Sequence, residues 1–436
     1  MKSLLYLLAL VLVSQALAVS FPEVQNVSDP LFPYAGDNFN GYIQVNNATG
    51  SNIYYHLFGY NNGSINNSQV PLLFWLQGGP GCGSEIAMYC ELGPYSVIAN
   101  ASSPTNYSLI PRNTSWTKLG HVVFVDQPIG SGFSAAQGGE AINTTAQAAV
   151  QFQVFIARFF QVFPQFLQND VYLLGESYAG HWIPAFANYL LTNTSNSYIK
   201  LKGVGLGDAW VNPLYQTPVY STFCYVVGLL NQKERDYIKL LEMQSVQAML
   251  AGDYVYGSLL SNYILDYVCE AGGGCDEDNY RNYPPPGEDP VSIAQDFLNE
   301  AFVQQKLKLP IPYNFSMCSD AVGNDMLADN SESVADKLPL VLNKLKTLIY
   351  VGQDDENVNY EGILAYFKRV RWEGVQDLLN QNKSMWTLNG DIVGYFKETG
   401  NVTFVTVLKS GHLVPGDQPE PAFDMMNRFI NDLPFN

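Results

Sequence analysis

The stretch Gly175-Glu176-Ser177-Tyr178-Ala179-Gly180, directly behind the apolar run Val171-Tyr172-Leu173-Leu174, constrains this chain more than any other. A short buried strand that enters Gly-x-Ser-x-Gly must turn sharply, and the two glycines permit a turn that a β-carbon would obstruct. The serine hydroxyl then stands clear of the sheet edge. In a chain with 36 glycines the pattern alone is weak, because a plain small-residue turn would look the same. Its weight comes from what the rest of the chain supplies.

A nucleophilic serine needs a base, and the chain offers four histidines. His56 and His121 lie in or beside the strand-like runs Ile53 to Phe58 and Val122 to Val125, where a structural role is expected. His181 follows the elbow at the start of the next helix, which would hold it away from the serine hydroxyl. His412 sits in Ser410-Gly411-His412-Leu413-Val414-Pro415, just past the strand-like Val402 to Leu408. Glycine before and proline after describe a loop at a strand end, where an imidazole can hang over a serine.

The base in turn needs an acid to fix its tautomer. Leu348 to Val351 reads as a buried strand that ends in Gly352-Gln353-Asp354-Asp355-Glu356, between the serine and the histidine in chain order. Three adjacent acids leave the choice open on spacing alone. A fourth part follows the strand Leu72 to Leu76: Gln77-Gly78-Gly79-Pro80-Gly81, a loop able to present bare N–H groups to a developing oxyanion.

Strand-like runs at 72–76, 122–125, 171–174, 348–351 and 402–408 alternate with helical patterns, which predicts an α/β fold with a largely parallel central sheet flanked by helices. The clearest helix places Phe152, Phe155, Ile156, Phe159 and Phe163 on one face, with Asn143 or Thr144 as its cap. Between about Pro213 and Asp336 the strand rhythm disappears, and Pro284-Pro285-Pro286 interrupts the segment. The expected organisation is a core of residues 19–212 and 338–436 with an insertion at 213–337, one domain with no internal repeat.

Lys2, the apolar run Leu4 to Val13 and Ala16-Leu17-Ala18 read as a signal peptide of residues 1–18, too short to anchor in a membrane. About a dozen Asn-x-Ser/Thr acceptors, Asn26, Asn62 and Asn401 among them, suit a glycoprotein of the secretory pathway. A net charge of −18 leaves no basic patch for nucleic acid and suits an acidic organelle without requiring one. No Cys-x-x-Cys or histidine cluster suggests a metal, and no cofactor is expected.

Taken together, these segments resemble the serine carboxypeptidases, a family with the α/β-hydrolase fold. The likeness runs almost end to end: Phe39 to Ile43, Phe74 to Cys82, Glu91 to Pro94, Asp126 to Pro128, Gly132 to Ser134, Gly175 to Pro184, Tyr350 to Asp355 and Gly411 to Pro415. The resemblance implies that Ser177 is the nucleophile, His412 the base and Asp355 the acid, with Asp354 the alternative on spacing. It implies oxyanion donors at the N–H groups of Gly79 and Tyr178. Recognition of the substrate's free α-carboxylate falls to Gln77, Gly78, Glu91 and Glu176, with Gln77 where asparagine is more frequent. Leu413 matches a position that lines the pocket for the departing residue. Insertion 213–337 takes the place of the family's helical cap.

The resemblance also selects one disulfide, Cys82 with Cys318. Cys269 and Cys275 flank a Glu-Ala-Gly-Gly-Gly loop able to close on itself, which leaves Cys90 and Cys224 for each other. The implied function is removal of C-terminal amino acids from peptides and proteins at acidic pH through an acyl-enzyme, in a lysosome or vacuole or after secretion. A homodimer is compatible with it. An acyltransferase with the same triad, or a non-catalytic binding protein of this fold, are the alternatives.

Overall fold

The computed structural model describes residues 20–283, 289–310 and 312–435. The expected signal peptide and the triple proline at 284–286 lie outside them.

Thirteen strands are formed: β1 (Gln25–Asn26), β2 (Asn38–Gln44), β3 (Asn52–Phe58), β4 (Leu72–Leu76), β5 (Tyr95–Ala99), β6 (Tyr107–Pro111), β7 (His121–Asp126), β8 (Val171–Glu176), β9 (Leu201–Gly207), β10 (Lys346–Gly352), β11 (Ser384–Leu388), β12 (Asp391–Thr399) and β13 (Val402–Val407). Eleven make one sheet in the order β1-β2-β3-β7-β4-β8-β9-β10-β13-β12-β11, and β5 and β6 pair separately. From β7 through β13 every pairing is parallel. Both wings are antiparallel. Strands β4, β7 and β8 read as nearly unbroken apolar runs because both their faces are covered.

The helix Thr145–Val162 covers one face, and the Thr144 hydroxyl caps it by accepting from Gln147 N at 3.2 Å. Its phenylalanine stripe packs on the sheet and on the helix Ala179–Thr192, with Phe159 5.2 Å from Phe74 of β4 and Phe152 4.5 Å from Phe186 of that helix (ring centroids). Each such fully buried ring is worth about 1.5–3 kcal/mol relative to exposure. On the other face the helix Pro419–Asn431 contributes Met425, Met426 and Phe429 to a second apolar cluster.

No strand forms between β9 and β10 among the described residues. That insertion is less uniform than a cap set apart from the core. Residues from Tyr220 to Val268 gather a small apolar cluster of their own. Ala294, Phe297, Leu298, Val303 and Leu307 instead join the cluster on the sheet.

Candidate active site

Strand β8 is buried throughout and delivers Ser177 at its carboxyl end. Ser177 takes φ 61°, the left-handed region that non-glycine residues rarely enter. Backbone bonds lock the turn: Ser177 N donates to Gly207 O at 3.0 Å, and Ser177 O accepts from Gly180 N and Trp210 N, both at 2.9 Å. A strained residue fixed from three sides projects its hydroxyl at one place. The helix Ala179–Thr192 starts immediately after.

Gly78 lets the glycine-rich loop close on this turn. A β-carbon there would fall 2.5 Å from Cβ of Ser177 and 2.6 Å from the N of Tyr178. Among the described residues nothing accepts from the N–H of Gly79 or of Tyr178. Tyr178 is held by its side chain: the hydroxyl donates to Asp329 Oδ2 at 2.6 Å, and the ring stacks on His181 at 4.3 Å. Cys82 and Cys318 form a disulfide, and beside it Gly83 N donates to Met317 O at 2.8 Å and Ser319 N to Gly81 O at 3.0 Å. The loop is thereby clamped to the insertion.

His412 lies in the loop after β13, its N–H donating to the Asp278 carbonyl at 2.6 Å. Its Nδ1 donates to Asp355 Oδ2 at 2.8 Å, and Asp355 Oδ1 accepts from Val358 N at 2.9 Å. With the proton on Nδ1, Nε2 is free to accept, and His412 and Ser177 line the same cavity of about 580 Å³. Of the three adjacent acids, only Asp355 reaches the imidazole. Asp354 is turned to Arg281 at 3.2 Å and Tyr280 at 3.1 Å, and Glu356 faces cysteines. Burial opposes charge on His412, but Asp355, Asp278 and Glu176 together outweigh it, so its proton affinity is raised.

The other histidines are structural. His56 bonds Asn38 and stacks on Phe58, and burial depresses its pKa to about 3. His121 bridges Tyr60 N and Asn67 O, and His181 spans the carbonyls of Trp210 and Glu332.

Gln77 lines the cavity, its Oε1 accepting from Trp75 Nε1 and its Nε2 donating to Glu176 Oε1, both at 2.8 Å. One amide hydrogen remains for a ligand. Glu91 and Glu176 are fully buried beside each other. Burial and their mutual repulsion push Glu91 well above the carboxylate range, and burial lifts Glu176 to about 7. Among the described residues no other side chain or backbone group donates to either oxygen of Glu91 or to Oε2 of Glu176, which leaves the two carboxyls only each other. Leu413, with Ile86 and Val291, gives the cavity an apolar wall.

Two expected disulfides are not formed. Cys269 and Cys275 are neighbours, but both are free thiols, and Cys269 Sγ donates to Glu356 Oε2 at 3.4 Å. Cys90 and Cys224 are also free and belong to different clusters. Cys224 lies 3.9 Å from Glu356 Oε1, whereas Cys90 sits beside Glu91 and Arg112.

Two residues were missed from the sequence. Trp75 orients the Gln77 amide. Asp208, at the end of β9, accepts from Gly352 N at 2.8 Å and meets Asp355. An acid at a strand's carboxyl end is the signal that could have exposed it, but β9 itself was not recognised.

The serine carboxypeptidase family profile matches residues 30–432. A protein named "Probable serine carboxypeptidase CPVL" from Dictyostelium discoideum is 30% identical over 409 residues, covering 91% of this chain and 79% of its own. "Serine carboxypeptidase-like 50" of Arabidopsis thaliana is 30% identical over 418 residues, covering 95% of this chain and 91% of its own. Among solved structures, Kex1(delta)p, a prohormone-processing carboxypeptidase from Saccharomyces cerevisiae, superposes with a TM-score of 0.78 at 24% identity, covering 94% of each chain. That likeness shows a shared α/β-hydrolase fold.

Proposed function

The chain belongs to the serine carboxypeptidase family, and from that premise we propose that Ser177, His412 and Asp355 are its catalytic triad. It is a serine-type carboxypeptidase, a hydrolase of peptides. His412 Nε2 takes the proton of Ser177 Oγ as that oxygen attacks the last peptide carbonyl. The N–H groups of Gly79 and Tyr178 hold the oxyanion. His412 then protonates the leaving amine, and the C–N bond breaks to leave an acyl-enzyme. Water attacks the ester with His412 again as base, and Ser177 recovers its proton.

The observation that carries the exopeptidase assignment to these residues is the Glu91–Glu176 pair, buried next to the nucleophile with three carboxyl oxygens unpartnered outside the pair. Like charges so close cannot both form cheaply, so the pair holds a proton in mild acid and can donate to a substrate carboxylate. Gln77 and the backbone at Gly78 supply further contacts, and Leu413 favours an apolar departing residue. We assign work in an acidic compartment of the secretory pathway, since binding needs that shared proton. Among the described residues no helix is long and apolar enough to cross a membrane. Residues 213–337 act as the cap that bounds the cavity through Asn262, Glu277 and Ser319.

Time-resolved mass spectrometry of a peptide pool at acidic pH, with each peptide as free acid and as C-terminal amide, tests this reading. Stepwise loss from free-acid termini is expected. Internal cleavage, or equal rates on the amides across pH, would overturn it.

A further inference from the structure

Asp208 occupies the turn after β9 at φ 41°, fully buried, with its N–H on the Tyr350 carbonyl at 2.9 Å. One carboxyl oxygen accepts from Gly352 N, and the other has no partner among the described donors. One oxygen of Asp208, one of Asp355 and a ring nitrogen of His412 lie within 4.8 Å of one another. Two carboxyls so placed in a dry site share at most one negative charge. Asp355 is the acceptor of the two, since both its oxygens receive hydrogen bonds, one from His412 and one from Val358 N.

We propose that Asp208 is a positioning residue of this active site, a neutral carboxylic acid whose O–H donates to Asp355 and so keeps His412 available as a base in mild acid. The need is electrostatic. Asp355, Asp278, Glu176 and Glu277 all face His412 and favour its imidazolium, which cannot take the proton of Ser177. A donor on Asp355 spreads that carboxylate's charge and weakens its hold on the imidazolium. The groups facing Asp208 fit the role. Asp355 and Glu176 disfavour its ionisation, Tyr350 from β10 brings no cation, and burial adds the largest push upward.

The inference rests on the triad assigned above, so Asp355→Asn is measured alongside. Asn and Gly both accept the positive φ at 208, and Asn also keeps an acceptor for Gly352 and an N–H for Asp355. Rates on free-acid peptides are followed against pH for the native enzyme, Asp208→Asn and Asp208→Gly. Asp208→Asn should keep the native acid limb of kcat, while Asp208→Gly should move it upward by about one pH unit. An Asp208→Asn limb displaced to lower pH would mean that Asp208 is ionised, and the proposal falls. An unmoved Asp208→Gly limb, with only a uniform loss of kcat or stability, would also overturn it. Should Asp208→Gly not fold, infrared difference spectra of native against Asp208→Asn decide. A carboxylic-acid C=O band lost in the variant at mildly acidic pH supports the proposal, and its absence rejects it. If Asp355→Asn retained native kcat, the triad itself would be the error.

Discussion

Glu91 and Glu176 reach the active-site cavity through Gln77, whereas Asp208 and Asp355 reach it through His412. Both pairs are buried carboxyls that share charge, but their hydrogen bonds are distributed differently. Three of the four oxygens in the glutamate pair are unpartnered outside it. In the aspartate pair, both oxygens of Asp355 and one of Asp208 are engaged. An unsatisfied buried oxygen costs about 1–3 kcal/mol, so three together beside a nucleophile are open to completion by a ligand. The more fully bonded pair has little left to offer a ligand and instead fixes its neighbour. On the mechanism proposed above, the glutamates serve affinity and the aspartates turnover.

The harshest way to break this division is Ser177→Ala. Turnover should fall on the order of a millionfold, with loss of fluorophosphonate labelling, while free-acid peptides still bind with the native pH dependence in calorimetric titration. If binding lost its pH dependence as well, the glutamate pair would not be independent of the nucleophile.

Asp355→Asn comes next, with kcat lower by about ten-thousandfold through the wrong imidazole tautomer. Steady-state kinetics should find KM for free-acid peptides close to native. A large rise in KM would erase the distinction between the pairs.

Glu91→Gln combined with Glu176→Gln should do the reverse. KM for free-acid peptides in mild acid should rise by about ten- to a hundredfold, with kcat little changed and amidated peptides unaffected. In the native enzyme the pair sheds its protons as pH climbs through the raised values of both glutamates, about 7 for Glu176, so KM should rise toward and above neutral. Glutamines do not titrate, and that slope should vanish in the double variant.

The smallest effect concerns stability. Glu85, Glu91, Asp208 and Glu356 are all held well above the carboxylate range by burial. Their folded values exceed the unfolded ones of about 3.9–4.3, so the unfolded chain sheds these protons first as pH rises. Stability therefore declines from about pH 4 upward until the folded groups titrate. Scanning calorimetry should give a Tm several degrees higher at pH 5 than at pH 7.5, and replacing either pair by amides should reduce the difference.

Much of this was legible because local pattern and tertiary role coincide. The elbow at Ser177, the His412 loop and the phenylalanine stripe each carry their own punctuation. The choice among Asp354, Asp355 and Glu356 is not local, since all three share one turn and only the neighbours they meet differ. Strand β9 escaped notice because its glycines break the apolar run. Gly203 and Gly205 are there for Tyr172 and Leu174 of β8, whose side chains would lie 2.8 and 2.7 Å from a β-carbon. Missing β9 meant missing Asp208 at its end. The pairing of Cys90 with Cys224 failed for a related reason: the surroundings of Cys224 are assembled from Cys269, Cys275 and Glu356, which spacing does not bring to it.

The clamp between the oxyanion loop and the insertion also orders events in time. Gly81, Cys82 and Gly83 are tied to residues 236 positions later in the chain, counted between the two cysteines. A ribosome adding about 5–20 residues per second needs roughly 12 to 47 s to cover that interval. The serine turn can form well before the loop that would stabilise its transition state is fastened. On the mechanism proposed above, the nascent protease is thus incomplete until the clamp has closed.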